Sequence, residues 1–181
     1  KTEFAIILDR LGRGMNVCMM AEGNRSYSGE TGYISPNTGR LVKESGAGLI
    51  TCRIHGGYFI NPRWGKEVRK GRYSGEVVSE YTSDELAKMS EGEINSIISR
   101  DLYVNAYEDQ IKDPIPYFCK NPAEHLETAL YACPECKTFS CLESSGDLLK
   151  CKSCGMKLRF SRFGYFERES APPVFRTILD W

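Results

Sequence analysis

The sequence lacks a long hydrophobic run, a signal peptide and a charge of one predominant sign. No apolar stretch approaches the roughly eighteen residues that a membrane-spanning helix requires. The 24 basic and 24 acidic side chains balance, so no overall field would attract nucleic acid. A P-loop, a zinc-protease helix and a complete dinucleotide-binding glycine pattern are also absent. These absences argue against a membrane span within this chain, against a general nucleic-acid binder and against the common nucleotide-dependent enzymes.

The 181 residues permit one large domain, or a medium domain with a small one. Apolar residues recur at helical spacing from Phe4 to Leu11, and Ser35-Pro36 is a second helix start. The predicted strands are Asn16–Ala21, Leu49–Ile54 and Gly75–Tyr81. Capping boxes begin at Thr82 and at Ser90, and the second opens a helix that we expect to run to about Tyr107. This order of elements predicts an α/β sheet with helices packed on it.

A polar block follows the first predicted strand directly: Glu22-Gly23-Asn24-Arg25-Ser26. Gly23 permits a tight turn, and its missing side chain lets a ligand approach the backbone. Arg25 offers a planar fork of donors that suits a phosphate or a carboxylate. The same residue types are equally compatible with a surface turn that carries an ion pair.

This block resembles the E-G-T/N-R-S motif of the glycerolipid acyltransferases, the lysophosphatidic acid acyltransferase family. The similarity continues in the segment from Ser35 to Lys43, in the strand from Leu49 to Tyr58, and in Asn61-Pro62-Arg63-Trp64. It covers roughly residues 1 to 110, with several motifs in the family's order. The resemblance implies that Glu22, Gly23, Asn24, Arg25, Ser26 and Lys43 bind the substrate, and that Arg25 contacts the phosphate region of the acceptor.

One family motif is missing. Members of the family carry a His-x-x-x-x-Asp motif, whose histidine removes the proton of the acceptor hydroxyl. The chain has two histidines, and the residues five positions after His55 and His125 are Ile60 and Leu130. We therefore assign no catalytic residue in this chain. Since the chain also opens on Lys1, we expect it to be a C-terminal portion that is inactive alone.

Two CxxC pairs separated by fourteen residues are the strongest purely chemical signal: Cys133, Cys136, Cys151 and Cys154. Each pair places two thiolates on one tight turn, and four thiolates complete a tetrahedron around Zn²⁺. We predict a structural zinc ribbon with short strands, and two disulfides are the alternative. Cys141 is a spare thiol beside this site, either simply packed or able to exchange with a ligand. Cys18 and Cys52 lie in apolar strand runs, where we expect them to be buried.

These signals divide the chain into four segments. We predict the C-terminal portion of an acyltransferase α/β sheet domain in residues 1–110, a proline-rich linker in 111–130, a small β zinc-ribbon domain in 131–168 and a tail in 169–181. The stretch from Arg63 to Tyr73 combines basic and aromatic residues, which suits a lipid headgroup surface or the phosphates of coenzyme A. It also suits a solvated loop.

The resemblance implies transfer of a fatty acyl group from acyl-CoA or acyl carrier protein to the hydroxyl of a lysophospholipid. The expected location is the cytoplasmic side, peripheral at the inner face of the membrane. The alternative is a zinc-ribbon module on a non-catalytic α/β scaffold that binds nucleic acid or a partner protein. The neutral net charge of the chain and the succession of acyltransferase-like blocks favour the acyltransferase interpretation.

Overall fold

The computed structural model describes residues 3–169 and 171–181. The fold is mixed α/β, as predicted. It contains two antiparallel sheets, and the C-terminal four-stranded sheet bears the four-cysteine cluster. The chain folds into two compact units. The first comprises the described residues up to Asn24, Thr31–Arg53 and Gly75–Tyr103, and the second comprises Arg25–Glu30, Ile54–Ser74 and the described residues from Val104 to Trp181.

The regular elements of the described chain follow one another in a mixed order. They are α1 (Glu3–Gly12), α2 (Asn37–Ser45), β1 (Leu49–His55), α3 (Gly57–Ile60), β2 (Ser74–Tyr81), α4 (Ser83–Ala87), α5 (Glu91–Leu102), α6 (Ala106–Lys112), β3 (Leu142–Ser145), β4 (Leu148–Cys151), β5 (Lys157–Phe160) and β6 (Phe166–Glu167). Strands β1 and β2 form one sheet, and β3 to β6 form the other in sequence order.

The helices of the first unit begin where the capping pattern predicts. The Ser90 hydroxyl accepts a hydrogen bond from the Glu93 backbone N–H, and the Glu93 carboxylate accepts one from the Ser90 N–H at 2.7 Å. Thr82 forms the same box at the start of α4. Helix α5 then buries Ile94 and Ile98 against Leu86, which forms the core of this unit. Both capping-box predictions are confirmed.

The predicted strand at Asn16–Ala21 is wrong. Residues 16–20 have no regular secondary structure and are exposed, and Ala21 lies in a turn. In the described part of the chain no strand pairs with this apolar run, so a sheet does not bury its side chains. The expected burial of Cys18 and Cys52 is wrong too, because both thiols are exposed. In β1, Thr51 faces inward toward the Asp101 carboxylate at 2.9 Å, which turns Cys52 outward.

The helix predicted to run from Ser90 to about Tyr107 is interrupted. Helix α5 ends at Leu102, and Asn105 adopts an extended conformation. The Asn105 side chain accepts hydrogen bonds from the backbone N–H groups of Tyr107 and Glu108, so it caps a new helix, α6. An asparagine that caps competes with helix continuation, which the apolar spacing alone does not reveal.

The strands of the second unit form an antiparallel meander. Leu142 pairs with Cys151, Leu149 with Leu158, and Phe160 with Phe166. Their inward side chains join Trp64 and Leu126 in one buried cluster. The short strands predicted near the cysteine pairs are thus confirmed. Cys151 ends β4 and Cys154 lies in the turn after it, whereas Cys133 and Cys136 lie in a turn before β3.

Candidate functional site

The two CxxC turns of the second unit share one backbone geometry. In the first, the Lys137 N–H donates to the Cys133 carbonyl at 3.0 Å, and the Cys133 N–H donates to the Thr138 carbonyl at 3.0 Å. In the second, Gly155 donates to the Cys151 carbonyl at 3.0 Å, and Cys151 donates to Met156 at 2.9 Å. The pattern repeats at the same offsets, so each turn presents its two thiols to a common centre.

The four thiols of these turns are placed to hold a metal ion. All four Sγ atoms lie within 4.8 Å of one another. Cys133 Sγ lies 3.7 Å from Cys154 Sγ, and Cys136 Sγ lies 3.7 Å from Cys151 Sγ. A tetrahedral ion with metal–sulfur bonds of about 2.3 Å requires sulfur–sulfur edges of about 3.8 Å. The observed spacing therefore fits a tetrathiolate centre.

The thiols differ in how readily they ionise. Burial raises the pKa of Cys133 to about 11. At Cys154 the Met156 N–H favours the thiolate, but desolvation and the neighbouring thiols outweigh it and raise the pKa to about 12. Desolvation opposes ionisation of Cys151, yet the Cys154 N–H and the Cys141 thiol stabilise its thiolate and lower its pKa to about 6. The cluster thus holds protons that a cation must displace.

Cys141 is a fifth thiol of this region. It is buried, its Sγ lies 3.4 Å from Cys151 Sγ, and it donates to the Thr138 carbonyl at 3.0 Å. It lies outside the group of four whose sulfur atoms converge. Cys141 therefore lies beside Cys151 with its thiol hydrogen bonded to the Thr138 carbonyl, and the four CxxC sulfurs form the group that can hold an ion.

Metal affinity is expected to fall as the pH is lowered. A metal ion binds the thiolate form, and near neutral pH Cys133 and Cys154 are protonated before binding because their pKa values are raised. The protons displaced from Cys133 and Cys154 alone give a change of about 100-fold in affinity per pH unit. Competition with a chromophoric chelator between about pH 6 and pH 8 measures this slope. An affinity independent of pH would contradict the assignment of these thiols as ligands.

The residues predicted to bind substrate fall in both units. Glu22, Gly23, Asn24 and Lys43 belong to the first unit, and Arg25 and Ser26 belong to the second. Gly23 has φ +70°, which agrees with the tight turn predicted there. The Glu22 carboxylate accepts a hydrogen bond from the Gly32 N–H at 2.7 Å, and Asn24 is exposed. The substrate roles of these residues remain predictions.

Lys43 has a clear structural task in the first unit. Its ammonium group donates to the carbonyl oxygens of Leu86, Ala87 and Met89 at 3.3, 2.7 and 2.5 Å. These carbonyls lie at and just beyond the C-terminal end of α4, where helical carbonyls lack partners. An ammonium group has three donors, and all three are engaged here.

Arg25 belongs to a small surface that a second sequence block completes. Its guanidinium donates to the Asn61 carbonyl at 2.8 Å. The Arg63 guanidinium lies 4.3 Å from the centre of the Tyr27 ring and donates to the Arg25 carbonyl at 3.4 Å. We call Arg25, Tyr27, Asn61 and Arg63 the arginine surface. Both arginines are exposed, and no described carboxylate forms an ion pair with either of them.

The sequence prediction did not join Arg63 to Arg25. It placed Arg63 in one block of the family resemblance and in a basic and aromatic loop, without predicting that either contacts Arg25. Residue types carry no signal for this contact, because it joins two distant segments of the chain. Ser26 has a local role beside this surface, since its hydroxyl accepts a hydrogen bond from the Gly29 N–H at 2.9 Å.

A cavity of about 240 Å³ lies elsewhere in the second unit. His55 and Asp109 line it, with His55 Nδ1 at 2.6 Å from the Asp109 carboxylate. Arg72 lines it too and pairs with Asp113. The pairing with Asp109 gives the His55 ring a structural partner that the sequence does not reveal.

In comparisons with known proteins, no protein-family model, no curated protein and no solved structure matches the chain. The acyltransferase resemblance therefore remains a prediction from the sequence blocks. Within residues 3–169 and 171–181, no helix combines the length and the apolar character needed to cross a bilayer.

Proposed function

We propose that this chain is the C-terminal portion of a glycerolipid acyltransferase that binds the phosphate headgroup of a lysophospholipid acceptor. The enzyme transfers a fatty acyl group from a thioester, acyl-CoA or acyl carrier protein, to a hydroxyl of the acceptor, such as 1-acylglycerol 3-phosphate. In this proposal the histidine base is supplied by sequence outside the chain. The chain contributes acceptor binding and a zinc-braced module.

The arginine surface is the observation that supports this function best. Two blocks that carry the family resemblance, Arg25–Tyr27 and Asn61–Arg63, contact each other although they are 36 residues apart. Their contact places two exposed guanidinium groups, free of described carboxylates, on one small surface. A guanidinium fork matches a phosphate dianion in geometry and charge. The headgroup would be held by two cations while its neighbouring hydroxyl is left for reaction.

The first unit offers a surface on which further parts of an acyltransferase domain could pack. Val17, Met19 and Met20 are exposed in the irregular segment after α1, and Ile50 and Val77 are exposed on the two-stranded sheet. Exposed apolar side chains in this number suit coverage by a further segment in a complete assembly. They are therefore compatible with a base supplied from elsewhere.

We propose Zn²⁺ as the ion of the four-cysteine centre. Thiolate ligands select soft or borderline ions, and four sulfurs in tetrahedral array are typical of structural zinc or of iron–sulfur sites. The site provides four protein ligands and no open position, so it performs no catalysis. Its task is to stabilise a four-stranded sheet that is too small to be stable by apolar burial alone.

Replacing Arg25 with alanine is expected to weaken binding of 1-acylglycerol 3-phosphate by about 10-fold to 100-fold, because a charge-assisted hydrogen bond contributes about 1.5–3 kcal/mol. Isothermal titration calorimetry with a short-chain acceptor, kept below its critical micelle concentration, measures the change. The neutral 1-monoacylglycerol serves as a ligand control, since it lacks the phosphate.

The matched protein control is Arg13→Ala, which removes an equal charge from an exposed arginine that directly follows α1. It should leave the affinity unchanged. Equal affinities of the Arg25→Ala, Arg13→Ala and unmodified chains would refute acceptor binding at the arginine surface. So would equal affinities for the phosphorylated and neutral ligands.

A further inference from the structure

Two large aromatic side chains are exposed to solvent beside the CxxC turn of Cys133 and Cys136. Tyr131 is 69% exposed and Phe139 is 68% exposed, and their rings stack with centres 6.0 Å apart and planes at 14°. Exposure of two adjacent aromatic rings in a small module costs solvation free energy that folding could have avoided. Single exposed apolar residues are ordinary, whereas a stacked exposed pair indicates a surface that binds a membrane or another molecule.

The metal-binding turn fixes these rings. Ala132 and Phe139 form an antiparallel bridge across the turn that contains Cys133 and Cys136. The Ser140 N–H donates to the Tyr131 carbonyl at 2.9 Å. Both rings therefore project from the two arms of a short loop whose tip is closed by the metal ligands, so little conformational freedom is lost when the rings bind.

The C-terminal segment and one cation extend this surface. The Trp181 indole donates to the Ala132 carbonyl at 2.9 Å and packs on Phe175, with ring centres 5.7 Å apart. The Lys137 ammonium lies 5.9 Å from the centre of the Phe175 ring, and the neighbouring Val174 is exposed. We define Tyr131, Lys137, Phe139, Val174 and Phe175 as the aromatic face.

We propose that the aromatic face docks the chain on the surface of an anionic phospholipid bilayer. The rings enter the boundary between headgroups and acyl chains, and the Lys137 ammonium meets the lipid phosphates. This inference rests on the proposed function in so far as a lysophospholipid acceptor resides in a bilayer. It assigns the metal-bound loop a role in binding as well as in stability.

The composition of the aromatic face favours binding to a bilayer over binding to a nucleic acid or to a protein. A nucleic acid needs several cations along its phosphates, and Lys137 is the one cation in the face as defined. Tyr131, Phe139 and Val174 together expose on the order of 300–400 Å², from typical side-chain areas. A stable protein interface buries about 800 Å² on each partner. Two rings with one flanking cation suit the weak, reversible attachment of an interfacial anchor.

Vesicle co-sedimentation of the full chain tests this proposal. The vesicles are of phosphatidylcholine alone or of phosphatidylcholine with phosphatidylglycerol. The double variant Tyr131→Ser/Phe139→Ser should lower the partition coefficient on mixed vesicles by about tenfold or more, because the apolar area that enters the boundary is lost. Lys137→Gln should lower it about fivefold on mixed vesicles and leave binding to pure phosphatidylcholine unchanged. The control Tyr33→Ser removes another aromatic residue, 77% exposed in the first unit, and should bind as the unmodified chain does.

Retention of one metal ion per chain shows that each variant is folded at the loop. Binding of the double variant equal to that of the unmodified chain overturns the proposal, as does failure of the unmodified chain to bind mixed vesicles. A short RNA or DNA that binds the unmodified chain and is released by the double substitution also overturns it.

Calorimetry with soluble 1-acylglycerol 3-phosphate separates the docking proposal from the proposed acyltransferase function. If the unmodified chain binds this ligand but not vesicles, only the docking role is removed. If it binds neither, the proposed function is removed as well.

Discussion

Replacement of Cys133 with serine should abolish metal binding and unfold the four-stranded sheet of the second unit. The substitution removes one of four thiolates from a closed site, and its sulfur is fully buried beside Cys154. Structural zinc sites of this kind contribute about 10–16 kcal/mol of apparent binding free energy at neutral pH. This is comparable to the whole stability of a typical domain, about 5–15 kcal/mol. Metal content by atomic absorption and thermal unfolding by circular dichroism measure both effects.

Two further serine substitutions serve as controls for that result. Cys18 is exposed in the first unit, and Cys141 is the thiol beside the four ligands. Cys18→Ser and Cys141→Ser should each retain about one metal ion per chain, as expected for a closed four-thiolate site. A Cys133→Ser variant that binds metal at full stoichiometry would contradict the tetrathiolate centre. Loss of metal in Cys141→Ser would show that the ligand set includes the fifth thiol.

Replacement of Gly56 with alanine should lower the free energy of unfolding by about 3 kcal/mol or more, from a left-handed backbone and overpacking together. Gly56 has φ +81°, and an added Cβ would lie 2.2 Å from the Arg72 carbonyl oxygen and 2.9 Å from the Tyr117 hydroxyl. The carbonyl belongs to the backbone and cannot rotate away as a flexible side chain could. Urea denaturation of the metal-loaded chain measures the loss.

The control for this substitution separates backbone strain from steric overlap. Gly146 also has a left-handed conformation, φ +62°, but an added Cβ there meets no atom within 4 Å. Gly146→Ala should therefore cost only about 1–2 kcal/mol, the price of the left-handed conformation itself. Equal losses for the two variants would show that the close approach of Gly56 to Arg72 is absent in solution.

Local signals in the sequence predicted much of the fold. The capping boxes at Thr82 and Ser90 depend on side chains three residues apart, so their geometry is determined within one helical turn. The CxxC turns are similar, since a few neighbouring residues close each turn and place the two pairs of thiols where a metal ion can join them. Such features depend little on distant parts of the chain, and the sequence contains all that they require.

Features that depend on distant partners could not be predicted in this way. The run at Asn16–Ala21 has the composition of a buried strand, but burial needs a neighbouring strand that composition does not supply. The contact between Arg25 and the Asn61 carbonyl joins segments 36 residues apart through backbone geometry, which leaves no trace in residue types. The hydrogen bonds of Lys43 to carbonyl oxygens at the end of α4 are of the same kind, because they also join segments that are distant in sequence.

The most direct measurement of the central claim is nuclear magnetic resonance of the arginine side chains during titration with 1-acylglycerol 3-phosphate. The Nε–H resonances of Arg25 and Arg63 report on their guanidinium groups, and Arg13 provides an internal reference. We expect saturable shifts at Arg25 and Arg63 with one common dissociation constant, and none at Arg13. Resonances of Arg25 and Arg63 that stay in place at saturating ligand, or that move no more than that of Arg13, would contradict the account.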